Sequence, residues 1–479
     1  MDPFGYSIAD TNAAPKNFFL ITGNKIHVKS QQIAIQNLLL IRQNQLFDSL
    51  LVKESERLVR TRNYVNDVSF FVKATSKNSD SVDIFIREMD KWSLIPKIGF
   101  SNTGFTVNLT DKNFLGFGHE SDNSFAWDPS NSDFAYNINY LTPNIRNTYI
   151  SSKLHFSNDR YKNSAKSLVI DRPFFSPFAR WAAGVSFGQF RKDSIYISDT
   201  VLITQRYKFN AQDYWAGGAI RVFKGNTESK RTTNLVSTVR LLRIRYIERP
   251  LAVTEGPNML FDEDFYLVSI GISTRKHVQD KFIFRFGVTE DVPIGKVYNL
   301  TGGYQVKNNI SRLYLGMRFS IGNYHEWGYM SSNFEYGTFY KAGHAEQGVF
   351  TAGVNYFTGL MEIGKWKLRQ FIKPQATFGI NRFNTDSISL NEGYGLDGFN
   401  SSKLSGTNRL LLTFQTQAYA PWNIIGFHFG PFLTFSLGML GNEMEGFKKS
   451  KVYTQIGLGV LIKNENLVFS TFQISFAFY

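Results

Sequence analysis

The stretch Phe427–Leu437, "FHFGPFLTFSL", decides the fold. Phe427, Phe429, Leu433, Phe435 and Leu437 fall on one side, and His428, Gly430, Thr434 and Ser436 on the other. Alternation with period two is the mark of a β-strand with an apolar and a polar face. The same pattern recurs in Asp133–Leu141, where Phe134, Tyr136, Ile138 and Tyr140 alternate with Ala135, Asn137 and Asn139. It recurs again at the end of the chain, where Phe472, Ile474, Phe476 and Phe478 alternate with Gln473, Ser475 and Ala477. From Trp92 onward nearly every segment reads this way, and polar turns such as "KGNTESK" and "LGNEMEG" fall between. A series of soluble sandwiches would need linkers, and none is evident. One closed antiparallel barrel satisfies every backbone group without leaving an edge, as lipid demands. The candidate strands number about 16 to 20.

Composition agrees. Aromatics make up 16% of 479 residues, with 45 Phe, 23 Tyr and 38 Gly, yet mean hydropathy is only −0.22. No apolar run is long enough for a membrane helix, and alternating barrel strands keep the average low. The absence of cysteine removes disulfides, thiolate metal sites and cysteine nucleophiles. The net charge of +14 is scattered rather than clustered, which speaks against nucleic acid. Met1-Asp2-Pro3 is followed by no basic-then-apolar stretch, so no signal peptide is read. For an outer-membrane chain this is a conflict, and the expectation is that numbering starts internally or that the start, further domains included, is missing.

The first 92 residues are organised differently. Residues 1–24 read as an irregular lead-in. Residues 25–92 read as a small α+β domain. It opens with a strand-like run in His27–Ile41, followed by a helix Ser49–Arg62 capped by Asp48. A hairpin follows, from Val65–Thr75 and Ser81–Arg87. Residues 93–479 form the barrel.

"FDSLLVKESERLVRTRNYVNDVSFFVKATSKNSDSVDIFIREMDKWSL", Phe47–Leu94, resembles a POTRA domain of the BamA/TamA superfamily of outer-membrane assembly proteins. "DKNFLGFGHE", Asp111–Glu120, resembles that family's early-barrel motif, with Asn113, Phe114, Leu115, Gly116 and Gly118 at its core. "GYGLDGF", Gly393–Phe399, resembles the tip of its inward-folded loop. The resemblance implies a mainly β protein: a 16-stranded antiparallel transmembrane β-barrel preceded by one POTRA domain. It also implies a loop at about 390–407 that folds into the lumen. In the family the tip carries an arginine held by acidic groups on the barrel wall. The matching positions here are Asp397, between Leu396 and Gly398 and flanked by Gly395 and Phe399, with Gln415 and Ser436 on the wall. All three charges are lost or changed together, which removes an unpaired buried charge. The expectation is a lumen plug with a polar anchor; the plainer alternative is a surface loop with Asp at a turn.

"LVFSTFQISFAFY" ends on an aromatic but also resembles the family's penultimate strand, so either the closing strand is absent or the register differs. The seam is expected between a first strand near Leu94–Leu109, weakened by Gly99 and Gly104, and the last strand with Phe476 and Phe478.

No chemistry is legible. The seven histidines have no ligand spacing, and G-x-S-x-G and Walker motifs are absent. "FDEDF", Phe261–Phe265, offers three acids that read as an ordinary acidic loop or a Ca²⁺ site. The expectation is a non-enzyme without metal or cofactor. It would insert outer-membrane proteins by strand augmentation and seam opening, with a translocation channel or an accessory barrel as alternatives. Its partners would be unfolded outer-membrane clients, membrane lipid and periplasmic or lipoprotein components, with no nucleic acid. Its place would be the bacterial outer membrane, with the small domain in the periplasm.

Overall fold

The computed structural model describes residues 1–479 apart from 9–12, 16–17, 78, 102–103, 130–132, 199–200, 250–259, 384–385, 394 and 468–471. From Leu94 to Phe478 the strands form one antiparallel meander ordered as a closed barrel. Among the described residues the ring holds twenty-one strand elements. Two of them, Met361–Ile363 and Asn423–Ile424, are short extensions over neighbours that also pair directly with each other. Nineteen main strands remain, not the sixteen the family resemblance implied. The difference lies early in the barrel, where six strands of eight to eleven residues are packed between Leu94 and Arg172.

The barrel is apolar outside and polar inside. Tyr266, Val268, Ile270 and Ile272 are exposed on one strand, as are Leu313, Leu315 and Met317 on another. Between them, inward-facing Ser269 and Thr301 hydrogen bond with Asn299 (2.8 and 3.1 Å). The opening stretch behaves as its alternation predicts: Leu433 and Phe435 are exposed, whereas Thr434 and Ser436 are buried. At the end nearest the N-terminal domain, Trp181, Trp327, Trp422, Phe223 and Ile425 form an exposed aromatic and aliphatic belt.

The N-terminal domain differs from expectation in two places. The lead-in contains a helix, Phe18–Ile26. The strand-like run His27–Ile41 instead holds a short helix, Gln32–Gln36, followed by turns. Ala34 and Leu38, four residues apart, are the buried apolar members of that run. Its isoleucines suggested a strand, but helical spacing decides which side chains are covered. The sheet therefore has two strands, Val65–Ala74 and Val82–Asp90, paired as a hairpin. The expected leading third strand is not among the described residues. Helix Ser49–Arg60 forms as predicted, with the Asp48 carboxylate accepting the Leu50 and Leu51 N–H groups (3.0 and 3.4 Å). Leu38, Val59, Tyr64, Val65 and Val68 make the domain core.

Candidate functional site

An odd number of strands in an antiparallel meander leaves the first, Leu94–Ser101, and the last, Phe472–Phe478, running the same way. Parallel pairing is somewhat weaker per residue than antiparallel. The two strands are hydrogen-bonded neighbours in the closed ring, and the foot of this seam is fastened as well. The Trp92 N–H donates to the Asn466 carbonyl (2.8 Å), and Trp92 and Leu467 form a parallel bridge. Above the foot both strands carry exposed side chains. Every residue of Phe472–Phe478 is exposed, lumen-side Gln473, Ser475 and Ala477 included, and so are Pro96 through Phe100. Fully paired strands such as Ile310–His325 alternate exposed and half-covered residues instead. Gly99 has no atom within 4 Å of where a Cβ would stand, so that face of the strand is uncovered there. The expected first strand Leu94–Leu109 is a hairpin, with Ser101 opposite Gly104. Gly104 (φ +145°) opens the second strand and lies against the Trp127 carbonyl, away from the seam.

At the other end of the seam sits the predicted lumen loop. Ile388 and Gly406 bridge its neck, and Asn391 exchanges two hydrogen bonds with Ser401 (3.1 and 2.9 Å). Leu390 and Leu396 are buried against Leu411 and Leu440 of the wall, with Phe399 and Tyr453 packed beside them. The loop is therefore held by leucines. Asp397 is exposed. Its main-chain carbonyl accepts the Tyr479 hydroxyl, whose ring packs against Phe399 with centroids 5.7 Å apart. Gly398 (φ +75°) faces the same hydroxyl, and a Cβ there would overlap it. The structure does not bring Asp397 to Gln415 and Ser436. Gln415 bonds to Gln417 (3.4 Å) and Ser436 to Thr413 (3.3 Å), below the leucine layer. The polar anchor expected from the resemblance is thus replaced by an apolar one, because Leu390 and Leu396 reach the wall first. Tyr394 of the tip and 468–471 of "LVFSTFQISFAFY" lie outside the described residues.

The early-barrel motif is a docking turn. Leu115, Gly116 and Gly118 have positive φ (54°, 78° and 74°), which favours glycine at two of the three positions. A Cβ on Gly116 would strike the Lys29 carbonyl, and one on Gly118 the Tyr64 ring. Phe114 and Leu115 are exposed at the rim. Asn113 is fully buried: its Oδ1 accepts the Gly118 N–H (2.8 Å) and its Nδ2 donates to Ser30 Oγ (2.9 Å). Ser30 in turn hydrogen bonds to Asp90, which also pairs with His27 (3.1 Å).

Elements that the sequence reading missed close the mouth beneath the barrel. The turn Phe282–Gly287 reaches across the lumen, burying Ile283 and Phe286 near Phe371 and Tyr419. The Tyr419 hydroxyl donates to the Ile283 carbonyl (2.7 Å). Arg369, 1% exposed, donates to the Phe282, Lys281 and Thr358 carbonyls and to Asp280, each at 2.8 Å. Glu290 accepts the N–H groups of Ile283, Phe284 and Arg285. Arg285 then joins the turn to the Asn66 carbonyl of the small domain (2.9 Å) and to Glu465 at the seam foot (3.2 Å). Beside them, burial, reinforced by the Arg285 cation, pushes the Lys91 amine down to about 7. A signal was available: "KFIFRFG" puts three phenylalanines where the other turns are polar. The "FDEDF" acids are engaged by cations. Asp262 meets Arg249, Glu263 meets Lys307, and Asp264 meets Arg243 and Arg245. No metal-binding group of acids and histidines occurs among the described residues.

No family model and no curated protein matches this chain. Solved structures do. CdiB from Acinetobacter baumannii aligns at 10% identity over 91% of this chain, with a TM-score of 0.38, and the chain spans 66% of its length. BamA from Haemophilus ducreyi lacking POTRA domains 1-3 aligns at 10% identity over 94% of this chain and 82% of that one, with a TM-score of 0.31.

Proposed function

We propose that this protein lies in the bacterial outer membrane with its small domain in the periplasm, and that it helps other β-barrel proteins insert there. The outward apolar faces and inward polar pairs support the membrane placement. The observation that carries the insertion reading is the seam: the ring closes between two short strands that run the same way, with exposed side chains along both. Parallel pairing is somewhat weaker per residue, so this closure is the one to open, and the N–H and C=O groups exposed on opening are costly in lipid and give an incoming strand its template. Passage of a polypeptide through the lumen fits less well, because Phe282–Gly287 and the docked small domain obstruct the mouth.

The test is the folding rate of an unfolded outer-membrane barrel in liposomes. Wild type is expected to accelerate it. Joining Gly99→Cys to Ser475→Cys with a short bis-maleimide, in a chain with no cysteine of its own, is expected to abolish the acceleration. Asp397→Arg is expected to leave it unchanged, since only the main chain of Asp397 is engaged by Tyr479. No acceleration by folded wild type would sink the insertion reading and leave an accessory barrel.

A further inference from the structure

Helix Phe18–Ile26, "FFLITGNKI", has no buried residue. Phe18 and Phe19 are 74% and 79% exposed, and Ile26 is 66% exposed. A nine-residue helix in water has no reason to present two phenylalanines and an isoleucine to solvent. Its opposite side is held. Gly23 abuts the Phe4 ring, and Asn24 exchanges two hydrogen bonds with the Phe4 main chain (3.1 and 2.8 Å). At 3.6 residues per turn, Asn24 points away from Phe18, Phe19 and Ile26, whereas Gly23, one turn after Phe19, lies at the edge of their side. The Phe4 ring lies 6.2 Å from Trp92, the residue at the foot of the seam. His27, just past the helix, lies 6.2 Å from Trp92 on its own account and is fixed by Asp90. The helix is therefore anchored to the seam foot by one face, with its apolar face free.

We propose that this free face is a membrane-contact surface, and that its partner is the phospholipid leaflet at this end of the barrel. The inference rests on the outer-membrane reading above. Continuity supports it: the helix stands at the same end of the barrel as the exposed Trp181, Phe223, Trp327, Trp422 and Ile425 belt. Such belts mark the level of the lipid headgroups. Lys25 in the last turn and Lys29 just beyond the helix, both exposed, put cations beside its C-terminal end, as suits a short amphipathic helix lying in an interface. Lys29 also pairs with Asp2 (3.0 Å), which ties the N-terminal segment to the same side. By this placement the helix seats the small domain on the membrane directly beneath the seam, so client strands arriving there meet lipid already perturbed by aromatic side chains.

The test uses the full protein in phospholipid vesicles. It carries an environment-sensitive dye on Phe18→Cys, on Val268→Cys of the outward barrel face, or on Lys77→Cys of the exposed hairpin turn. The Phe18 label is expected to shift its emission to the blue and to be quenched by lipids spin-labelled near the headgroup. The Val268 label is expected to be quenched by chain-labelled lipid and the Lys77 label by neither. A quenched Val268 label beside a Phe18 label that behaves like Lys77 would overturn the helix assignment alone. An unquenched Val268 label would overturn the outer-membrane reading and this inference together. Raising the anionic lipid content is expected to deepen quenching at Phe18, through Lys25 and Lys29.

Discussion

Asn113 does at one position what a whole interface usually shares out. Its amide closes the Asn113–Gly118 turn with one end and holds Ser30 of the small domain with the other. Truncation leaves the buried Gly118 N–H and the Ser30 hydroxyl with fewer partners, a loss of about 1–3 kcal/mol. Asn113→Ala is expected to fold as a barrel, seen by its retained heat-modifiable gel mobility, while limited proteolysis cleaves the small domain from it faster than in wild type. Equal cleavage rates would mean that the ion pairs Arg60–Asp291 and Arg231–Asp48 hold the domain without the turn. In the sequence this residue stood out only as part of the early-barrel motif named by resemblance; its burial and its hold on Ser30 show only in the fold. Asp397 was legible only in part. The glycine-rich tip was recognised, but its acid drew attention from Leu390 and Leu396, the side chains that seat it. Leucines look alike in a sequence wherever they are, and only the fold shows which are covered.

At the scale of the element, the turn Phe282–Gly287 and the lumen loop close the barrel from opposite ends, by different means. The loop is seated by apolar burial. The turn is seated by a buried guanidinium that satisfies carbonyls from its own strand neighbourhood and across the lumen. Arg369→Ala would leave three carbonyls and the Asp280 carboxylate short of their donor. That change is expected to loosen the turn and raise single-channel conductance in planar bilayers well above wild type. Unchanged conductance would show that Tyr419 and Glu290 suffice. Strand identity was readable throughout from period-two alternation, because each strand separates lipid from lumen and the two demand different side chains. Strand number was not: hairpin boundaries in the Leu94–Arg172 region rest on single turn residues, and one extra turn every ten residues changes the count without changing the pattern. The short helix Gln32–Gln36 was misread for a related reason, since a run of five residues is too brief for its period to declare itself.

For the whole molecule, stability is distributed unevenly around the ring. The strands Glu263–Lys281 and Thr289–Lys307 pair over nineteen residues, whereas the two seam strands are eight and seven residues long and run parallel. Amide hydrogens of Pro96–Phe100 and Phe472–Phe478, proline aside, are expected to exchange orders of magnitude faster than those of Glu263–Lys281 in detergent or nanodiscs. Equal protection would contradict an easily opened seam. The foot of that seam also gathers the small domain, through Asn66 and Trp92, and the mouth turn, through Arg285. Movement of the domain is thus transmitted to the seam and the mouth together.

The shared direction of the two edge strands sets a rule of parity. One strand laid between them runs antiparallel to both neighbours and meets its full ladder on each side. Two strands, arriving as a hairpin, gain one antiparallel contact and one parallel contact. Once opened, the seam therefore counts what enters it, and favours odd numbers over even.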